Sequence, residues 1–250
     1  MRTVKPEGYE ASTSLIPPNT NGAVYAHSVL EGRQSGIVFT DDEQRSLLIW
    51  HRCGFALLGG APDIAELKEI GEMIQHPAPY KRLFLFAPNA ETAAFFRGDA
   101  AFSIGERLFF RYPETAPVPQ TDSAAVEITA DILSQIRGGN TPAVSWDSPE
   151  EFLKTGGGFC VMKDGTPASW AYAAAVSRRE TDIGIETDPR FRRQGLAFTA
   201  AAAMIRSVRA AGKTPVWSCR AENEASGKLA LALGFAQTGH CFTVTRSEQH

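Results

Sequence analysis

The run from Thr181 to Ala211, TDIGIETDPRFRRQGLAFTAAAAMIRSVRAA, constrains the fold more than any other stretch. "TDIGI" alternates and reads as a strand; "FTAAAAMIRSVRAA" reads as a helix. Between them lie three arginines, a glutamine and a glycine. A strand that turns through glycine into a helix exposes the first helical N–H groups, which have no partner inside the helix. The helix dipole adds partial positive charge there. Gly195 lets the backbone approach a ligand without a Cβ in the way. Arg190, Arg192 and Arg193 add multidentate cationic donors suited to phosphate. The local chemistry therefore points to a phosphate or pyrophosphate. A basic, solvated loop that only starts a helix is the other reading.

Along the chain, residues 1–22 read as an irregular arm ending in "IPPNTNG". Three strands follow in "GIVFTDD", "SLLIWHR" and "GFALLGG", then an amphipathic helix in "DIAELKEIGEMIQ". "KRLFLFAP" is a buried strand, "NAETAAFFRG" a short helix with Asn89 as N-cap, and "AFSIGERLFFRYP" a last strand or hairpin. The proline-rich "RYPETAPVPQTDSAA" reads as an interdomain linker, dividing the chain into 1–118 and 119–250. Beyond it come helices in "TADILSQI" and "SPEEFLKTG", the second opening on a Ser148-to-Glu151 capping pattern. Two antiparallel strands turn at Lys163-Asp164-Gly165, and "ETDIGIETD" is the next strand. After the long helix come the strand "TPVWSCR", the helix "ENEASGKLALALG" and a closing hairpin in "FAQTGHCFTVTR". The halves run in parallel order, strand–break–helix–strand–helix–strand. That reads as an internal repeat or as the coincidence of two common β-α-β-α-β units. Where the second half has "PRFRRQGLA", the first has "GGAPD".

Composition excludes several classes. A net charge of -3 gives no general reason to expect nucleic acid or an anionic membrane as partner. No apolar run is long enough to span a bilayer, and the N-terminus lacks a signal-peptide h-region. The four cysteines are far apart and the five histidines scattered, without metal-ligand spacing. A cytoplasmic location and no metal are expected. The P-loop, the dinucleotide fingerprint and the nucleophile elbow are all missing.

Arg192-Arg193-Gln194-Gly195-Leu196-Ala197 resembles the R/Q-x-x-G-x-G/A signature of the GNAT superfamily of acyl-CoA-dependent N-acyltransferases. "IGIET" resembles the strand before that loop and "PVWSC" the strand after it. Asn223, Ser226 and "LALALGF" resemble the helix that follows. The ordered set covers most of residues 145–246. It is similar to a bacterial subfamily with an extra N-terminal region that includes zwittermicin A resistance-like proteins. The resemblance implies an α+β GNAT fold, a mixed and mostly antiparallel central sheet flanked by helices. The N-terminal α/β half would be a degenerate, non-catalytic repeat. It also implies acetyl-CoA as co-substrate, with its pyrophosphate on the amides of Arg193, Gln194, Gly195, Leu196 and Ala197 and near Arg192. The backbone of Ile185, Glu186 and Thr187, with Asn223 and Ser226, would meet the pantetheine arm. Phe198 stands where many members have Ser or Thr, with Thr199 one step on.

Acetyl transfer to an amine needs a deprotonated amine, a donor to the carbonyl oxygen and a proton for the leaving thiolate. Glu186 is the first candidate base, with a structural role as its equal rival; Glu180 and Asp182 come next. The usual acid, a Tyr in the last helix, is replaced by Ala230. Ser226, Tyr172 or a water stands in, or the thiolate leaves unassisted. Trp170 and Tyr172 share a strand face and read as packing or a pocket wall. His240 could lie near the acceptor, but a lone His there is more often incidental. The expected acceptor is a primary amine of a small molecule or peptide, and the expected assembly a monomer or homodimer. The rival class is a catalytically weak or inactive CoA-binding module.

Overall fold

The computed structural model describes residues 1–16, 20–121 and 124–247. Part of the Pro/Asn-rich arm (17–19) and of the proline-rich linker (122–123) lies outside the described residues. The chain forms two compact units. The first takes Met1–Leu108, Arg220–Glu222 and the chain from Gly239 on; the second takes Phe109–Cys219 and Asn223–Thr238.

In the first unit, residues 2–15 form ordered elements where an irregular arm was expected. Strand β1 (Arg2–Thr3) pairs with β2 (Gly36–Thr40), and a short helix α1 (Tyr9–Ser12) follows β1. Helix α2 (Ala23–Leu30) buries Val24, Tyr25, Ala26, Ser28 and Val29. With apolar residues nearly all round, it shows no helical period in the sequence. Strands β2, β3 (Ser46–His51) and β4 (Phe55–Gly60) form an antiparallel meander. Every residue of β3 is buried, as a strand covered on both faces requires.

Asp41 shapes the β2–β3 turn, its Oδ1 accepting from Arg45 N at 2.7 Å and Ser46 N at 3.0 Å. Those bonds, the Ser46 N–H foremost, hold its carboxyl down at about 2. The folded value lies below the unfolded one. The stabilisation is therefore complete above the ordinary carboxylate range and is lost as pH falls through about 2. The melting-temperature gap between wild type and Asp41→Asn should be widest near neutral pH and close in strong acid.

Helix α3 (Ile64–Gln75) starts on a complete capping box, Glu66 N to Asp63 Oδ1 at 2.9 Å and Asp63 N to Glu66 Oε2 at 2.8 Å. It packs Leu67, Ile70 and Ile74 against Leu48, Trp50 and Leu85 and carries the chain to β5 (Phe84–Ala87), parallel to β4. Asn89 caps α4 (Ala90–Arg97) as expected, with Thr92 N to its Oδ1 at 2.8 Å. β6 (Phe102–Arg111) is one strand. So is β12 (Ala236–Arg246), where a hairpin was expected. Gly239 lies inside β12 at a close approach, not at a turn. A Cβ there would meet the Asn21 side-chain amide at 2.8 Å, and Asn21 Nδ2 donates to His240 O at 3.0 Å. β12 pairs antiparallel with β5, Phe242 opposite Ala87.

The second unit repeats the order. After β7 (Val126–Glu127) come α5 (Ala130–Gln135), α6 (Pro142–Ser145) and α7 (Pro149–Glu151), which continues as a π-turn over Phe152–Gly156. Ser148 caps α7 as read, accepting from Glu151 N at 3.1 Å. Strands β8 (Gly158–Lys163), β9 (Thr166–Val176) and β10 (Glu180–Thr187) form a meander. Its first turn has Asp164 and Gly165 at φ 49° and 73°, the left-handed pair an Asp-Gly hairpin uses. Helix α8 (Leu196–Ala210) lays Ala200–Ala202, Met204, Ile205 and Val208 inward and packs on β8, β9 and β10. Strand β11 (Thr214–Arg220) runs parallel to β10, and α9 (Glu224–Leu233) ends at Gly234, φ 98°. Immediately after β6, Tyr112 N donates to Pro215 O of β11 at 2.9 Å. The expected fold, a mixed and mostly antiparallel sheet flanked by helices, is the one observed.

Candidate active site

Past Asp182, β10 is held on one side only. It pairs with β9 from Thr181 to Thr187, but its ladder with β11 covers Glu180–Asp182 alone. The register with β9 slips between Asp182 and Ile183, the local bend a bulge produces. Among the described residues, the β11-facing edge of β10 has no strand partner from Ile183 to Thr187. The alternative bases lie outside this free end. Glu180 pairs with Arg111, and Asp182 is buried in the laddered part.

The loop after β10 has a rigid first half. Asp188 accepts from Arg190 N at 2.9 Å and Arg190 NH2 at 2.7 Å. The Arg190 hydrogen bonds hold the Asp188 carboxyl below its usual range, and Asp188 in turn raises Arg190. Arg190 is thus matched by an internal carboxylate. Arg192 and Arg193 are the exposed cations left for a ligand. Arg192 Nε reaches Thr187 O at 3.4 Å, and Arg193 has φ 62°. Gly195, at φ 75° and ψ 0°, starts α8 without any side-chain cap. Helices α3, α4, α5, α7 and α9 each begin on a capping side chain. α8, the longest at 15 residues, leaves its first N–H groups uncapped beside two arginines. A Cβ at Gly195 would meet nothing within 4 Å, so the space above these amides is open. This donor set fits a pyrophosphate. Thr199 is buried, which takes its hydroxyl away from the surface of the loop.

On α9, Asn223 Oδ1 accepts from Ser226 N at 3.2 Å, and Ser226 Oγ accepts from Trp217 Nε1 at 3.1 Å. Both side chains serve the local fold. The Ser226 hydroxyl proton and the Asn223 Nδ2 group remain for a ligand. Ala230 is fully buried and offers no acid. His240 belongs to the first unit, paired with Glu106.

Glu186 is half-buried at the free end of β10. Its Oε2 accepts from Asn140 N at 2.7 Å and its Oε1 from Gly139 N at 3.3 Å. Asn140 Nδ2 also donates to Ile185 O at 3.0 Å, so that carbonyl already holds one bond. Ser169 Oγ lies 3.1 Å from Glu186 O and 2.8 Å from Thr187 Oγ1. The loop Gly138-Gly139-Asn140, between α5 and α6, was not read from the sequence as part of the site. "GGN" between two helical runs is a turn signal, but nothing local names a partner 46 residues away. Each carboxylate oxygen keeps lone pairs beyond these bonds, so Glu186 can still accept a proton while the loop orients it.

Among the described residues no cluster of His, Cys, Asp and Glu could hold a metal ion, and no helix is long and apolar enough to cross a membrane.

The GNAT acetyltransferase family model matches residues 19–243. The chain is 24% identical over 227 residues to the uncharacterized N-acetyltransferase YdfB of Bacillus subtilis (strain 168), covering 84% of this chain and 85% of that one. Among solved structures it is similar to a GCN5-related N-acetyltransferase-like protein from Streptococcus suis 89/1591, at TM-score 0.77 and 19% identity, covering 96% of this chain and 99% of that one. A GCN5-related N-acetyltransferase from Kribbella flavida superposes at TM-score 0.59 and 18% identity, covering 92% and 98%. The fold is the GNAT fold; the chain belongs to the GNAT acetyltransferase family and is an N-acetyltransferase.

Proposed function

We propose that the protein transfers acetyl directly from acetyl-CoA to a primary amine of a small molecule or peptide. The site lies within 119–250, and the N-terminal region 1–118 is non-catalytic. The observation that carries this reading is the uncapped start of α8 beside Arg192 and Arg193, at the free end of β10. The corresponding start of α3 in the first unit is already filled by its own Asp63. The subfamily that includes zwittermicin A resistance-like proteins is the proposed placement, supported by the ordered motifs from "GGGFCVMKDG" to "LALALGF". A cytoplasmic location and a monomer or homodimer complete it.

Acetyl-CoA supplies the thioester carbonyl that the amine attacks. The amides of Arg193 to Ala197 and the Arg192 and Arg193 side chains would hold the diphosphate. Ile185 to Thr187, Asn223 and Ser226 align the arm. Glu186, directly or through water, takes the proton of the incoming ammonium. The proton for the leaving thiolate comes from Ser226 or water, since the Tyr172 hydroxyl is buried and already donates to Asn140 Oδ1.

The test is acetyl-CoA consumption against amines, aminoglycosides, amino acids and peptides. Turnover with one class establishes the acceptor; tight acetyl-CoA binding without turnover on any would favour a binding module. Arg192→Ala should raise KM for acetyl-CoA more than it lowers kcat, and added salt should shrink the difference. A large loss of kcat at unchanged KM would assign the arginine to the chemistry instead. For Arg193, whose φ is 62°, glycine is the cleaner replacement because it adopts that conformation without strain.

A further inference from the structure

We propose that Asn140 is a positioning residue for acetyl transfer, one that sets the orientation of Glu186 and of the free end of β10. The inference rests on Glu186 acting as the base.

Every polar group of Asn140 is engaged. Its N–H holds Glu186 Oε2 at 2.7 Å and its Nδ2 holds Ile185 O at 3.0 Å. Its Oδ1 accepts from Tyr172 OH at 2.6 Å and its carbonyl from Trp170 Nε1 at 3.0 Å. Two bonds therefore run to the candidate catalytic strand, and two come from buried rings of β9. Trp170 and Tyr172, each 1% exposed, lie opposite Glu186 and Gly184 in the ladder. They brace Asn140 from β9, a strand paired on both of its edges.

Two glycines clear the way. A Cβ at Gly138 would overlap the Glu186 carboxylate. At Gly184 it would come within 2.6 Å of the Tyr172 ring. Asn140 itself is exposed, so its side chain adds little to the apolar core. Its bonds end on Glu186 and Ile185, where the β11-facing edge of β10 has no strand partner among the described residues. A side chain placed only for stability has no need to land there. In this arrangement the carboxylate is aimed by a backbone N–H, and that N–H is aimed by two ring donors.

The test is a mutant cycle read in kinetics with the full chain. Asn140→Ala should lower kcat by about 10–10²-fold, the scale of a small misplacement of a reacting group. KM for acetyl-CoA should change little, because the diphosphate site is elsewhere, and the acidic limb of the rate–pH profile should move. Tyr172→Phe removes only the donor to Oδ1 and should act in the same direction, more weakly; it serves if Asn140→Ala does not fold. In a Glu186→Gln background, Asn140→Ala should cost little more, because its effect runs through that carboxylate. An active wild type with undiminished kcat and an unmoved pH profile in Asn140→Ala overturns the inference. Full additivity with Glu186→Gln does so too. Failure of the wild type to acetylate any amine overturns the functional reading instead, and this inference with it.

Discussion

Gly195→Asp should weaken acetyl-CoA binding by about 10²-fold or more in a protein that still folds. Charges about 4 Å apart at an effective dielectric near 20 repel by roughly 4 kcal/mol, enough for that loss. The first unit shows the same device in native form, since Asp63 occupies the N–H of Glu66 at the start of α3. An aspartate at 195 would give α8 a carboxylate of its own where the ligand's anion belongs. Gly195→Ala separates the causes. At φ 75° it carries a backbone strain of roughly 1–2 kcal/mol, but it meets no neighbour and leaves the amides free. Calorimetric titration should rank the affinities wild type, alanine, aspartate. Equal affinity in folded Gly195→Asp would remove the diphosphate from this loop.

Glu186→Gln should lower kcat by about 10²–10⁴-fold, the range for loss of a general base. Acetyl-CoA binding should stay close to wild type. Glutamine keeps one oxygen to accept from Gly139 or Asn140, while its NH2 faces the other N–H. The stability cost is then about one lost hydrogen bond, roughly 1–3 kcal/mol with a donor left unsatisfied. The acidic limb of the rate–pH profile should disappear. Lost kcat with a small stability change assigns the carboxylate to chemistry. A large stability loss with proportionate kcat assigns it to tying down the Gly138–Asn140 loop. No change in either shifts the search to other carboxylates, and Glu180 is already paired with Arg111.

Features written in short stretches of chain were legible. The Asn89 and Ser148 caps, the Asp164-Gly165 turn and the strand-to-helix turn through Gly195 follow from residues a few positions apart. Hydrophobic period found α3, and the alanine-rich run found α8. It missed α2, whose buried residues leave no polar face to set a period. The arm at 1–22 reads as polar irregular chain because β1 is ordered by pairing with β2, far along the sequence. The same limit applies at the site. The loop from Arg192 to Ala197 is continuous in sequence and carries its motif openly. The Glu186 tether joins residues from α5–α6, β9 and β10, and no spacing rule links them. The neutralisation of Arg190 by Asp188 is local but needed side-chain geometry to separate it from Arg192 and Arg193.

The pairing of β12 with β5 sets a timetable for synthesis. β4 and β5 leave the ribosome early, yet the second edge of β5 is completed only by Phe242–Val244. At roughly 5–20 residues per second, the wait is on the order of ten seconds or more. Through that interval the nascent chain presents "FLFA" as an open, apolar strand edge, the kind of surface that recruits chaperones or aggregates. A fragment stopped at the linker would keep that edge open permanently, so the first unit cannot be completed from the N-terminal half alone. The order of elements repeats, but the second series must be made before the first can close.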